Sequence, residues 1–102
     1  MEKVMQGHSV EFTVDATEFG DIEALEVHLY SNNIIAQKFK HPETAEFAPL
    51  TKNGYIYEGV LKSSMTDEML GVYGIIPIGI TGDDEDKKGY NPEFIEVTRK
   101  PL

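Results

Sequence analysis

"SVEFTVDA", residues 9–16, alternates without a break: Val10, Phe12 and Val14 fall on one side of an extended chain, and Glu11, Thr13 and Asp15 fall on the other. Side chains of a strand point to opposite faces in turn, so this pattern predicts a strand with one face buried and one in water. The same period continues outward. In "FGDIEALEVHLY", residues 19–30, Gly20 and Asp21 supply a turn, after which Leu25, Val27 and Leu29 alternate with Glu26, His28 and Tyr30. "SNN", residues 31–33, reads as a hairpin turn into "IIAQKFK", residues 34–40. The facing of that third strand is ambiguous, because Ile35, Gln37 and Phe39 compete with Ile34, Ala36 and Lys38.

Pro42 and Pro49 interrupt "HPETAEFAPLTKNG", residues 41–54, which reads as a crossing between sheets. "NGYIYEGVLK", residues 53–62, resumes alternation, with Ile56 and Val60 on one side and Tyr55, Tyr57 and Leu61 on the other. "SSMTDEMLG", residues 63–71, has room for one or two helical turns closed by Gly71. "VYGIIPIGI", residues 72–80, is an apolar, uncharged strand whose Pro77 cannot donate to a ladder and so asks for an edge or a bulge. "EFIEVTR", residues 93–99, closes the series. Short strands separated by turn signals at intervals of about 8 to 12 residues, with no long helical pattern, predict an all-β fold. The expected form is an antiparallel two-sheet, immunoglobulin-like sandwich of about seven strands in a single domain over residues 1–102, with a small barrel as the alternative. The expected core contains Val10, Phe12, Val14, Leu25, Val27, Leu29, Ile76, Ile78, Ile95 and Val97.

"GHSVEFTVDATEFGDIEALEVHLY", "GYIYEGVLKSSMTDEMLGVYGIIPIGI" and the terminal "FIEVTRKP", taken in order, resemble the immunoglobulin-like modules of phage baseplate and tail proteins and of prophage or Bacteroides mobile-element proteins. In such modules a Thr-containing turn precedes a Gly-x-Tyr strand, a place taken here by Thr66, Gly71, Val72 and Tyr73. The resemblance implies a sandwich fold and a structural role in an assembly. The antibody-type Cys, Trp, Cys core is absent.

A chain of 102 residues is long enough to bury roughly two thirds of its unfolded surface, and so to fold without staples. The absence of cysteine excludes disulfides, thiolate catalysis and cysteine zinc sites. With 18 acidic against 9 basic residues the net charge is -9, which repels a polyanion; nucleic acid is not an expected partner. "MEKVMQGHSV" has no apolar stretch of signal-peptide length, and no segment approaches the ~20 apolar residues of a membrane-spanning helix.

The chemistry-bearing residues form no catalytic pattern. Ser9, Ser31, Ser63 and Ser64 lack a nucleophile elbow, and no glycine-rich phosphate loop occurs. His8, His28 and His41 stand 20 and 13 residues apart, without the local spacing of a metal site, and read as surface histidines. In "TGDDEDKKGY", residues 81–90, an EF-hand alignment from Asp84 fails at Lys88 and Ile95. The stretch reads as a solvated hairpin tip, with a looser calcium site at Asp83, Asp84 and Asp86 as the alternative. No catalytic residue, metal or cofactor is expected.

Tyr30, Tyr55 and Tyr57 are the candidate binding residues, because tyrosine offers apolar area with a polar tip; the competing reading packs Tyr55 and Tyr57 in or near the core. Three functions follow from these features. The first is a non-enzymatic structural or interaction module with a protein partner, the second a carbohydrate-binding sandwich using exposed tyrosines, and the third an acidic adaptor docking on a basic partner.

Overall fold

The chain reverses sharply at Asn32 and Asn33, both with positive φ (53° and 64°), and this two-residue turn joins the longest hairpin of the protein. Asparagine tolerates that backbone region better than most residues, and the resulting turn twists with its flanking strands. The computed structural model from which this geometry is taken describes residues 2–81, 86–88 and 93–101. The described residues form ten strands: β1 (Glu2–Met5), β2 (Val10–Asp15), β3 (Ala24–Ser31), β4 (Ile34–His41), β5 (Ala48–Pro49), β6 (Thr51–Asn53), β7 (Ile56–Leu61), β8 (Gly71–Ile80), β9 (Asp86–Lys88) and β10 (Phe94–Thr98). A single-turn helix, α1 (Ser63–Thr66), joins β7 to β8.

The larger sheet has the order β1-β10-β8-β3-β4-β5, with β9 also paired to β8; the smaller has the order β2-β7-β6. The protein is therefore all-β and built in two layers. Its pairing is not wholly antiparallel, since β1 lies parallel to β10 and β5 parallel to β4. The chain crosses between the sheets from β5 to β6, in the proline-marked stretch, and buries Leu50 at the crossing.

Alternation places the core where the sequence predicts it over most of the chain. Phe12 and Val14 of β2 and Tyr57 and Leu61 of β7 face Leu25, Val27, Leu29, Phe39, Ile95 and Val97 of the larger sheet, all buried in one cluster. Phe12 and Phe39 meet edge to face with ring centres 4.9 Å apart, which fastens one layer to the other.

Three expectations need correction. In β8 the inward residues are Tyr73, Ile75, Pro77 and Gly79, while Ile76 and Ile78 lie half-buried on the outer face. Both parities of this strand are apolar, so alternation alone could not choose between them. Val10 is also only partly buried, packed at the margin of the core. Second, β8 is a central strand rather than an edge, with β3 on one side and β10 and β9 on the other. Pro77 fits because the Ile75 N–H donates toward β10, to the Glu93 carbonyl, and residue 77 shares that direction. On this side pairing to β10 ends at Gly74 and pairing to β9 begins at Ile78, so Pro77 stands between the two ladders. Third, part of the expected loop is a strand: Asp86–Lys88 folds back on Ile78–Ile80.

The ambiguous facing of β4 has a physical cause. Leu29 pairs with Gln37 but Tyr30 pairs with Ile35, leaving Ala36 as an extra residue in a bulge. One extra residue exchanges the two faces, so both parities are correct on either side of it.

The corner around α1 is tied by buried polar groups. Thr66, fully buried, donates from its hydroxyl to the His8 carbonyl at 2.7 Å and accepts from the Gly7 N–H at 3.1 Å. Gln6 Nε2 donates to the Met69 carbonyl at 2.8 Å. At the start of β8 the Tyr73 hydroxyl accepts from the Leu70 N–H at 2.9 Å and donates to the Leu70 carbonyl at 3.1 Å.

Candidate functional site

A sheet face exposed to water normally carries polar side chains at every second position. The outer face of the larger sheet departs from this along the whole of β8, which presents Val72, Gly74, Ile76, Ile78 and Ile80 outward. Register places the neighbours in rows. Phe94, Gly74, Tyr30 and Ile35 form one row across β10, β8, β3 and β4. Ile76, His28 and Lys38 form the next, followed by Ile78, Glu26 and Lys40.

Gly74 is what lets the first row lie flat. A Cβ at this position would stand 3.0 Å from Tyr30 Cε1 and 3.6 Å from Phe94 Cε1, so both rings reach over the glycine backbone from opposite sides. Phe94 and Ile35 keep 44% and 50% of their surface in solvent. Beside them His28, Tyr30, Asn33, Ile35, Ile76 and Ile78 line a shallow depression of about 320 Å³.

Charges frame this apolar band. Glu26 accepts from or pairs with His28 Nε2 at 3.0 Å and lies 3.8 Å from Lys40 Nζ, while Lys3 Nζ lies 3.7 Å from Glu96.

The three candidate tyrosines are not brought together. Tyr30 lies half-buried on this outer face. Tyr55 sits in the turn between β6 and β7, exposed, with its hydroxyl 3.4 Å from Asp21 Oδ1. Tyr57 is buried in the core, its ring 5.9 Å from that of His41. Burial pushes the Tyr57 phenol above its ordinary pKa, because the phenolate would lose its water. Tyr57 thus packs inside instead of facing a ligand, since the parity of β7 points it inward with Gly59 and Leu61.

The histidines are likewise dispersed. His8 is exposed, whereas His28 and His41 are half-buried on opposite faces of the larger sheet, one beside Glu26 and the other beside Tyr57. Among the described residues no group of three or more His, Asp or Glu side chains could hold a metal. The alternative calcium site lies outside the described residues, apart from the backbone of Asp86. No helix among the described residues is long and apolar enough to cross a membrane. Asp15 has its carboxyl held below the usual range by hydrogen bonds from the Thr17 hydroxyl and N–H, an exposed turn contact at the end of β2.

Sequence reasoning singled out Tyr30 but not Phe94, Ile35, Ile76 and Ile78 as surface residues of the site. The available signal was the uncharged run of residues 72–80, which is apolar on both parities.

No protein-family model matches the chain, and no curated protein matches it. Among solved structures it is similar to one described as a "putative glycoside hydrolase" from Bacteroides vulgatus ATCC 8482, with a TM-score of 0.52 and 10% sequence identity. The likeness covers 99% of this chain and 17% of that one, so this chain spans a small part of the other's length. At that identity the similarity is one of fold.

Proposed function

We propose that this chain is a non-enzymatic, immunoglobulin-like module that docks a protein partner through the outer face of its larger sheet. The observation that carries the reading is that β8 is apolar on both faces, one of them turned away from the core. Contiguous exposed apolar surface of this kind marks interaction sites in soluble proteins.

Two features support the immunoglobulin-like assignment. The smaller sheet pairs the second, seventh and sixth strands, and the larger pairs the tenth, eighth, third and fourth, matching the two-sheet order of such sandwiches. Tyr73, near the start of β8 and bonded through its hydroxyl to the Leu70 backbone, corresponds to their tyrosine corner. Membership in a phage-tail or mobile-element assembly extends this reading on the strength of the sequence resemblance. The carbohydrate alternative is less well supported, because Tyr30, Tyr55 and Tyr57 do not share a surface.

The test uses the protein as bait in an extract of the cells that produce it, beside its Ile76→Glu and Phe94→Ala variants. A partner retained by the wild type and lost from both variants is the expected result. Equal capture by all three would overturn the docking face.

A further inference from the structure

We infer that the partner on this face is a second copy of the same chain, stacked sheet against sheet about a two-fold axis that runs along β8. This rests on the docking reading above.

Size is the first argument. The face spans β10, β8, β3 and β4, and β8 runs for 10 residues. The other three are shorter, so at about 4.8 Å between strands and about 3.3 Å per residue the face is on the order of 500 Å² in projection. Such a face is comparable with the roughly 800 Å² of accessible surface that each partner contributes to a standard interface. A face of this extent, several strands wide, fits another sheet better than it fits a single extended peptide.

Charge is the second. The chain as a whole carries -9, yet the described charged side chains on the outer side of these four strands are Lys38 and Lys40 against Glu26 and Glu96, which balance. Among the described residues the acidic excess lies elsewhere, so two copies can approach here with less repulsion than through other surfaces. Glu26 and Glu96 already have cationic neighbours within their own copy, so stacking leaves neither without a counter-charge.

Register is the third. A two-fold axis along β8 keeps each row opposite itself and exchanges the strands on either side. Val72, Ile76 and Ile78 then meet their own counterparts, and Tyr30 of one copy faces Phe94 of the other, because both flank Gly74 in a single row. The contact is self-complementary and closes on itself, as an isologous dimer requires.

Sedimentation velocity from low micromolar to millimolar concentration tests this. The wild type should reach twice the chain mass, Ile76→Glu should stay at one chain mass with unchanged circular dichroism, and Val60→Glu, on the exposed side of the smaller sheet, should dimerise like the wild type. The lack of native cysteine permits a second measurement: an equimolar mixture of Phe94→Cys and Tyr30→Cys chains should form a mixed disulfide dimer in excess over either variant alone. A single-chain mass at every concentration, an Ile76→Glu variant that still dimerises, or no excess of the mixed dimer would overturn the proposal. A monomeric wild type that captures a different protein in an Ile76-dependent way would overturn the second copy while upholding the docking face.

Discussion

The ring of Phe12 occupies the space in which a side chain at Gly59 would stand: a Cβ there would come within 2.3 Å of Phe12 Cζ. Phe12 and Gly59 are cross-strand partners, and the far side of the ring is held edge-on by Phe39 of the opposite layer. Leu50 Cδ2, 3.0 Å from the same point, closes the remaining direction. Gly59→Ala should therefore destabilise the fold by about 1–3 kcal/mol through overpacking. Gly74→Ala makes the comparison, because the Tyr30 ring over it can lift toward solvent; its loss should stay under about 1 kcal/mol. Urea unfolding of both variants checks the ordering, and equal losses would contradict it.

Tyr73 closes a small ring of backbone contacts with Leu70 just before the longest strand. Tyr73→Phe keeps the buried ring but leaves the Leu70 N–H and carbonyl without this partner. A loss of about 1–2 kcal/mol is expected from the missing hydrogen bonds. Thermal unfolding measures it, and a melting temperature unchanged from wild type would show that water replaces the hydroxyl without cost.

Thr66 bridges α1 to the turn between β1 and β2, reaching Gly7 and His8 across nearly sixty residues of sequence. Thr66→Val preserves shape and removes both bonds, so it should cost about 1–3 kcal/mol. Thr66→Ser keeps the hydroxyl and should retain most of the stability. If the two substitutions were equally harmful, packing of the methyl group would matter as much as the bridge.

Tyr57 sets an alkaline limit. Its folded pKa is raised by burial from an ordinary value of 10.0, so above that pH the unfolded chain releases a proton that the folded chain keeps. The unfolded state is then favoured, and stability that is complete below the ordinary tyrosine pKa falls as pH rises beyond it. Tyr57→Phe should make the fall shallower. Urea midpoints measured across the alkaline range provide the check, and identical slopes for the two proteins would refute the assignment to Tyr57.

The strands that sequence revealed are those whose two faces differ in polarity. Val10 to Asp15, Ala24 to Ser31 and Ile56 to Leu61 alternate because one side meets the core and the other meets water. Glu2–Met5 escaped notice because only Val4 of the four is buried, and its pairing partner lies more than ninety residues away. The orientation of β8 was illegible for the opposite reason, since Ile75 and Ile76 are equally apolar and only tertiary packing assigns them to different sides. The same limit hid most of the candidate site. Tyr30 stood out as an aromatic on a polar side, but its association with Phe94 depends on Gly74 lying between them in register, a relationship between three distant segments.

The parallel alignment of β1 with β10 decides how the domain would carry load. Glu2 lies beside Ile95 and Met5 beside Thr98, and the ladder continues in the Gln6 N–H donated to the Thr98 carbonyl. Tension applied through the start of β1 and the end of β10 would slide these strands past each other in opposite directions. The hydrogen bonds of a parallel ladder are evenly spaced, so they would share the force together instead of opening one after another as at the mouth of a hairpin. The domain is thereby suited to resist stretching along its strands.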